Sequence, residues 1–236
     1  MEHGKEKTHS EDTMLLNGTL CKEGYYSFST PGNCTAIADG VGGNPGGKEA
    51  SEFVISKINS NGPLLNNVDD AYVINEELLS YASTIPSKEK MATTLTALFF
   101  YEENPLRIIH VGNTRLYAIQ GEYLKQLTRD HTTVEYLKAR GDYEAAENAA
   151  KNEITACFGG GTSSTIKQLQ IYEFDRDYAG FVITSDGFHD YLDEEALEDF
   201  ISADSFTEDS FKSLAQKAEE AGSTDDKSII VIKRRK

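Results

Sequence analysis

The stretch that decides the fold is AIADG at residues 36–40, an apolar strand that ends directly on an Asp-Gly pair. The same arrangement returns far along the chain in VITSDG, residues 182–187. Two more acidic pairs, Glu11-Asp12 and Asp225-Asp226, stand just before apolar runs. Taken singly, each has a structural explanation, because Asp-Gly is a common turn and acids are frequent at strand ends. Taken together, they predict a sheet protein with carboxylates at its strand ends.

Around these stretches, apolar runs and helical spacing predict the remaining elements. Strands are predicted at residues 25–28, 34–38, 94–101, 106–111, 115–119, 166–174, 181–184 and 228–233. Helices are predicted around residues 50–58 and 74–81, and over 133–140, 143–151, 194–201 and 206–221. Two helices follow the early strands as a block, later strands pair through short turns such as Gln120-Gly121, and helices return near the end. This order predicts antiparallel sheets stacked between helical layers rather than a doubly wound parallel sheet.

Length, charge and hydropathy exclude several classes of protein. The chain has 236 residues and a formal net charge of −16, which argues against nucleic acid as a partner. Residues 1–12 lack the apolar core of a signal peptide, and the longest apolar run, residues 95–101, is too short to span a bilayer. We therefore expect a cytoplasmic protein with no membrane segment. No linker-like block divides the sequence, so a single domain over residues 1–236 is predicted.

Carboxylates at corresponding ends of strands in a layered sheet can converge on one point. Their mutual repulsion there would be costly unless cations neutralised it. Oxygen ligands without His or Cys select hard cations, Mg²⁺ or Mn²⁺. Two such ions can lower the pKa of a bound water and clamp the oxygens of a phosphoryl group during in-line displacement. Periodicity alone leaves open whether the carboxylates converge.

A different phosphate-binding motif overlaps the first acidic strand end. Residues 42–48, GGNPGGK, fit the P-loop pattern G-x-x-x-x-G-K between a predicted strand and a predicted helix. However, Glu49 stands where a P-loop carries the Ser or Thr hydroxyl for Mg²⁺. The regular parallel βαβ series is missing as well. A P-loop nucleotide hydrolase is therefore the weaker alternative, and the glycines are better explained by a tight turn beside a metal site.

Six segments also share one order with a known set of motifs: ADGVGG at 38–43, TTL at 93–95, VGNTRLY at 111–117, LTRDHT at 127–132, TSDG at 184–187 and DDKS at 225–228. They resemble A-D-G-x-G-G, G-T-T-L, V-G-D-S-R-x-Y, L-T-x-D-H-S/T, T-S-D-G and D-N-x-T/S of the metal-dependent protein phosphatases (PPM, or type-2C Ser/Thr phosphatases) in their short bacterial form. Residues 4–12 resemble the opening G-x-x-R-x-x-N-E-D in degraded form. The resemblance implies an α+β fold, the four-layer αββα sandwich of two antiparallel β-sheets flanked by helices. It also implies a flap-like segment over about residues 133–161 beside the substrate cleft.

The resemblance implies a two-metal centre and its ligands. Asp39 would bridge the two ions, and Asp186 with Asp225 would hold the first. Glu11 and the backbone carbonyl of Gly40 would hold the second, with Asp12 contributing directly or through water. The implied cofactors are two Mn²⁺ or Mg²⁺ ions. The implied chemistry is attack of a water or hydroxide bound at this centre on phosphoserine or phosphothreonine, without a covalent intermediate.

Several residues depart from the family pattern. Lys7 stands at the phosphate-binding Arg, so Lys7 is predicted to bind phosphate and to act in catalysis beside Asp39, but without the bidentate fork of an Arg. Ser10 replaces an Asn in the same motif. Asn113 replaces the Asp that helps bind a third metal ion in bacterial members, which puts a third site in doubt. His189, three residues beyond Asp186, is expected to be a partly exposed surface histidine.

Two classes of function remain open at this point. The first is a protein Ser/Thr phosphatase, expected to be a monomer, whose phosphorylated protein substrates come from a Ser/Thr kinase. The alternative is a pseudophosphatase that binds a phosphoprotein or another partner with little turnover, because Lys7, Ser10 and Asn113 have weakened the site. Retention of every acidic ligand favours the enzyme.

Overall fold

The computed structural model describes residues 1–5, 7–43, 45–61, 65, 67–101, 105–174, 178–203 and 206–233. The strands are β1 (Thr13–Leu16), β2 (Thr19–Cys21), β3 (Cys34–Ala38), β4 (Ala92–Thr93), β5 (Leu95–Phe99), β6 (Leu106–Val111), β7 (Arg115–Gln120), β8 (Tyr123–Gln126), β9 (Phe158–Gly159), β10 (Gln170–Phe174), β11 (Gly180–Thr184) and β12 (Ile229–Lys233). The helices are α1 (Gly47–Asn61), α2 (Val68–Ser83), α3 (Thr133–Ala139), α4 (Tyr143–Asn148), α5 (Asp186–His189), α6 (Glu194–Ser202) and α7 (Glu208–Glu220).

Two sheets form the centre of the molecule. One has six strands in the order β10-β6-β5-β3-β1-β2, and the other has four in the order β12-β11-β7-β8. Neighbouring strands in both sheets run antiparallel, and β7 joins β8 through the predicted turn at Gly121. The facing sides of the sheets pack together through apolar side chains, among them Ile37 and Leu98 of the larger sheet and Leu116 and Ile183 of the smaller.

Helices cover the outer side of each sheet. Val54 of α1 and Leu78 of α2 belong to a buried cluster with Leu15 and Ala36 of the larger sheet. On the other side, Phe188, Leu197 and Leu214 of α5, α6 and α7 pack with Val182 of the smaller sheet. Both sheets are therefore buried on both faces, and the predicted four-layer αββα sandwich is confirmed.

Local sequence explains where the helices begin. Asn67 accepts a hydrogen bond from the backbone N–H of Asp70, whose carboxylate accepts one from the backbone of Asn67, and this capping box starts α2. Thr207 and Ser210 form the same arrangement at α7. Within the described residues, no helix combines the length and the apolar character that a membrane crossing requires.

Two predicted strands are wrong in whole or in part. Residues 25–28 form an exposed loop, since Tyr25, Tyr26 and Phe28 are 38–40% exposed and the Tyr25 hydroxyl donates to the carbonyl of Phe206. The strand predicted from residue 166 begins only at Gln170, because the carbonyl of Ile166 closes a turn with the N–H of Leu169. Strand preference of apolar side chains is overridden in both places by local contacts.

The sheet topology also overturns the P-loop alternative. Strand β3, which precedes the glycine-rich residues, pairs antiparallel with both β1 and β5. A P-loop requires a parallel strand followed by a crossover helix. Residue 44 of this motif lies outside the described residues.

Candidate metal centre

The acidic strand ends of both sheets lie at the same end of the sandwich. In the larger sheet, Thr13 is directly opposite Ala38, so the residues just outside them, Asp12 and Asp39, are neighbours. In the smaller sheet, Thr184 is opposite Ile229, so Asp186 lies beside the loop that carries Asp225. Register alone therefore places the acids in two pairs, one on each sheet.

A hydrogen bond across the two sheets brings these pairs together. The Oγ of Ser228 donates to Oδ2 of Asp12 at 2.5 Å, and the charge of Asp12 acts on the carboxyl of Asp39. Asp39 also feels the charges of Asp186 and Asp225. Four predicted site residues from both sheets therefore lie close enough for their charges to act on one another.

The backbone at Asp39 is held by the Thr-Thr pair of the second motif. The hydroxyl of Thr93 donates to the Asp39 carbonyl at 2.8 Å, and the hydroxyl of Thr94 accepts from the Asp39 N–H at 3.0 Å. Gly40 continues this pairing through a bridge to Thr93. Thr93, at the end of β4, and Thr94, just before β5, therefore fix the position from which Asp39 and Gly40 enter the site.

Burial and crowding shift the protonation of these carboxyls. Burial, reinforced by the neighbouring carboxylate of Asp226, raises the pKa of Asp12 to about 7. Burial and then Asp225 raise the pKa of Asp186 to about 7. Burial, with the charges of Asp12 and Asp186, also raises the pKa of Asp39. The cluster is short of positive charge, which is the condition that a bound cation relieves.

Unpaired oxygens in the site fit divalent cations. Among the described residues, Oδ1 of Asp12, Oδ1 of Asp186 and Oδ1 of Asn113 are buried without a hydrogen-bond partner. All three are acceptors, and hard cations prefer such oxygens. In the described part of the chain, no three His, Cys, Asp or Glu side chains form a group that could hold a metal as they stand. The types of donor atom therefore suit a divalent cation, although the side chains are not arranged to coordinate one.

Glu11 lies at the other border of the cluster, next to the start of α1. Its carbonyl accepts from the hydroxyl of Ser51 at 2.6 Å, and a side chain at Gly47 would lie 2.8 Å from its Oε1. Gly40 packs against the backbone of the same Gly47. The two residues predicted to hold the second ion thus meet at the N-terminus of one helix.

Lys7 does not point freely into the site. Its Nζ donates to Oδ1 of Asp225 at 2.7 Å and to Oδ2 of Asp226 at 2.9 Å, and it lies 3.4 Å from Oε2 of Glu11. Burial alone would lower the pKa of Lys7, but hydrogen bonds to the two aspartates raise it above its usual value. Lys7 is therefore a permanent cation among the predicted ligands.

Two polar contacts were missed by sequence reasoning. Asp226 is 2% exposed, and its carboxylate accepts from the N–H groups of Gly4 and Glu11 as well as from Lys7. The only signal was an Asp where the D-N-x-T/S pattern has Asn. The second contact is that Nδ2 of Asn113 donates to Oδ2 of Asp186 at 2.9 Å, which links the altered third-ion position to a predicted ligand.

The expectation that His189 is a surface residue is wrong. His189 is 7% exposed, and its Nδ1 is 2.8 Å from the hydroxyl of Thr184. Burial, and then the charge of Arg115, keep its pKa well below the usual range, so the ring is neutral. It packs inside the turn that follows β11 because Phe188 and His189 complete the single turn of α5.

The predicted flap carries α3 and α4 and is anchored at its base. The N–H of Thr155 donates to the carbonyl of His131 at 2.8 Å, and the N–H of His131 donates to the carbonyl of Gly112. Arg115 binds Asp130 through three donor contacts of 2.7–3.1 Å. The segment's start is therefore tied to the loop that carries Asn113.

Comparisons with known proteins support the resemblance. No family model matches the chain. It is 28% identical over 207 residues to the serine/threonine protein phosphatase PstP of Mycobacterium tuberculosis, and the match covers 83% of this chain and 39% of that protein. It is 23% identical over 247 residues to the serine/threonine phosphatase Stp of Listeria welshimeri, with 99% and 93% covered. The chain thus spans well under half the length of the first relative and nearly all of the second.

Solved structures support the fold. The serine/threonine phosphatase Stp1 from Staphylococcus aureus superposes with a TM-score of 0.78 at 24% identity, covering 100% of this chain and 93% of that one. The catalytic domain of PstP in complex with two manganese ions superposes with a TM-score of 0.72 at 26% identity, covering 98% and 94%. The fold of the chain is that of these phosphatases.

Proposed function

We propose that this chain, which its relatives and its fold identify as a bacterial PPM-type phosphatase, hydrolyses phosphoserine and phosphothreonine in proteins with the help of two divalent cations. The observation that carries the proposal is that the charges of Asp12, Asp39, Asp186 and Asp225, from two sheets, act on one another, while Oδ1 of Asp12 and Oδ1 of Asp186 are buried and unpaired. Without cations such an arrangement destabilises the fold, because buried like charges repel one another.

Each proposed ligand has its own support. Asp39 is the proposed bridge, because its carboxylate feels the charge of Asp12 from its own sheet and those of Asp186 and Asp225 from the other. Asp186 and Asp225 are proposed for one ion. Glu11 and the carbonyl of Gly40 are proposed for the other, with Asp12 beside them. Bound there, Mn²⁺ or Mg²⁺ would supply activated water and neutralise the charge of the phosphoryl group.

The protein's own residues would orient the reactants. The Thr93–Thr94 pair keeps Asp39 in place, and Ser228 holds Asp12 against the second sheet. Lys7 is proposed to bind the substrate phosphate, since its ammonium lies at the partly exposed edge of the cluster beside Asp225. A Lys offers a point charge rather than a bidentate fork, so we expect weaker phosphate binding than an Arg would give.

The proposed substrates are phosphorylated proteins, made by a Ser/Thr kinase. We propose that the enzyme acts in the cytoplasm as a monomer; its formal charge of −16 favours separate copies, because molecules of like charge repel. Mn²⁺ and Mg²⁺ both suit the oxygen ligands, and availability would decide between them.

The test is hydrolysis of a phosphothreonine peptide with and without Mn²⁺. Asp39→Asn and Asp186→Asn should abolish the cation-dependent rate, because each removes a charge from the proposed ligand set. Asp69→Asn is the matched control, since Asp69 is exposed in the first turn of α2. It should retain the full rate.

The outcomes separate the two classes of function. Turnover that requires the cation and both aspartates supports the phosphatase. Calorimetric binding of Mn²⁺ that both substitutions remove, with no turnover on any phosphopeptide, would refute the enzyme in favour of a pseudophosphatase. No binding and no turnover would refute both.

A further inference from the structure

Lys7 brings a full positive charge within direct reach of three carboxylates, of which Asp225 and Glu11 are predicted site residues and Asp226 is not. Its Nζ is 2.7 Å from Asp225, 2.9 Å from Asp226 and 3.4 Å from Glu11. Asp225 and Glu11 are proposed ligands of different ions. A single ammonium therefore neutralises carboxylates on both sides of the centre.

Asp226 is what holds the ammonium there. Its side chain is 2% exposed, and apart from Lys7 it accepts from the N–H of Gly4 at 2.9 Å and of Glu11 at 2.8 Å. The carboxylate is thus fixed by two backbone donors more than 200 residues away in sequence. Because Asp226 is rigid and buried, Lys7 is directed toward Asp225 rather than toward solvent.

The same contacts occupy carboxylate oxygens that a bound cation would use. No three acidic, His or Cys side chains among the described residues are grouped to hold an ion. One carboxylate oxygen of Asp225 instead receives the Lys7 ammonium. A divalent cation that uses Asp225 must compete with this bond and with the charge that Lys7 carries.

We infer that Lys7 is an internal counter-ion, anchored by Asp226, that competes with divalent cations for the carboxylates of the site. This inference rests on the proposed function, because it assumes that the cluster binds cations. Asp226 is accordingly a positioning residue: it acts through Lys7 and has no contact with substrate in this scheme. When cations bind, Lys7 leaves Asp225 but stays tethered to Asp226, at the edge where a substrate phosphate would enter.

Removing the charge of Lys7 should strengthen cation binding. A unit charge within about 4 Å of a cation site, at the effective dielectric constant of a protein surface, changes affinity by at least about tenfold. Lys7→Gln should therefore bind Mn²⁺ about tenfold more tightly or better. Lys7→Arg keeps the charge and should stay within about threefold of the wild type.

The experiment is isothermal titration of Mn²⁺ into the chelator-stripped protein of residues 1–236. Lys5→Gln is the matched control, because it removes the same charge from the same segment, where Lys5 is 59% exposed and pairs with Glu219. Melting temperatures in EDTA check that each variant folds. Cation-free Lys7→Gln should melt lower than Lys5→Gln and gain more from saturating Mn²⁺, since its carboxylates lack their counter-ion.

Asp226→Asn tests the anchor when it is made in two backgrounds. It removes one negative charge in either background, so it should weaken Mn²⁺ binding when made in Lys7→Gln. In the wild-type background that loss should be smaller, because Lys7 is released at the same time. Equal losses in the two backgrounds would overturn the role of Asp226.

The results distinguish this inference from the proposed function. Tighter binding by Lys7→Gln, with Lys7→Arg and Lys5→Gln unchanged, supports the counter-ion. Equal or weaker binding by Lys7→Gln overturns it and leaves the proposed metal centre intact. Failure of the wild type to bind Mn²⁺ at all overturns the metal centre itself, and the inference with it.

Discussion

Replacing Gly40 by alanine should disable the site through packing alone, without touching a charge. Gly40 follows Asp39 and lies against Gly47 at the start of α1. A Cβ at Gly40 would be 2.5 Å from the carbonyl carbon of Gly47 and 2.6 Å from its oxygen. Folded proteins essentially never show Cβ contacts below 3.0 Å. Both neighbours are backbone atoms, so a side-chain rotation cannot relieve the overlap.

The size of the effect follows from the displacement. The loop must move by at least about half an ångström, and by about 1 Å to reach ordinary contact, in a closely packed interior. A shift of this size at a catalytic position costs about 10–100-fold in rate. Overpacking should also destabilise the fold by about 1–3 kcal/mol. The rate is therefore expected to fall far more than the loss of folded protein can explain.

The assay compares two alanine variants of the same loop. A Cβ at Gly42 would have no heavy atom of the described residues within 4 Å, and the backbone there has no left-handed angle. Gly42→Ala should keep the wild-type kcat/KM on a phosphothreonine peptide with Mn²⁺, while Gly40→Ala loses about 10–100-fold. Urea unfolding of both variants measures the stability term. If Gly40→Ala stayed within about threefold of Gly42→Ala, the packing argument would be refuted.

Three further predictions concern charge. Asn113→Asp places a second carboxylate beside Oδ2 of Asp186, now 2.9 Å from the Asn113 amide, so the cation-free protein should melt lower and calorimetry should find an additional Mn²⁺; an unchanged stoichiometry would contradict this. Burial raises the pKa of Asp12 and of Asp186 to about 7, so in EDTA the native state keeps protons that the unfolded chain releases, and the free energy of unfolding should fall as pH rises from about 4 to 7. Asp186→Asn should reduce that fall by about 1 kcal/mol or more. If urea titrations showed that the free energy of unfolding falls equally with pH in the wild type and in Asp186→Asn, this prediction would be contradicted. Arg115→Met leaves the buried carboxylate of Asp130 without its ion-pair partner, with the Gln126 amide at 3.3 Å as a remaining donor, and should cost about 3 kcal/mol in urea unfolding, whereas Arg115→Lys, which keeps the charge, should cost clearly less.

The fold could be predicted because the sequence repeats one signal at several places. Apolar runs that end on acids, such as residues 34–39 and 181–186, identify strands and their common end, and the element order excludes a parallel sheet. The prediction missed strands that are too short to show a hydrophobic period, including β2 and the pair of β4 with β9. Residues 25–28 misled the prediction because aromatic residues favour strands, while their contacts in the protein belong to a loop.

The candidate site was likewise predicted from the sequence only in part. The acids could be identified from the sequence, since hard cations need oxygen ligands and the motifs fix their order. Their partners could not, because a hydrogen bond such as that of Ser228 to Asp12 joins residues 216 positions apart on different sheets. Burial of His189 was missed for a related reason: the spacing shows its nearness to Asp186 but not which way the turn faces.

The hydrogen-bond donors around the carboxylate cluster differ in the charge that they carry. Thr93 and Ser228 fix the acids of the larger sheet with hydroxyl groups that donate to the Asp39 carbonyl and the Asp12 carboxylate, and Asn113 holds Asp186 with an amide. These donors set positions but leave the negative charge uncompensated, so the repulsion is stored in the fold. Lys7 differs from them because it adds a full charge in direct contact with Asp225, and it does so from a chain segment that Asp226 ties down. Because the neutral donors leave the negative charge of the carboxylates uncompensated, that charge remains available to attract cations. The strength of the Lys7 contact then determines how much negative charge is left for them.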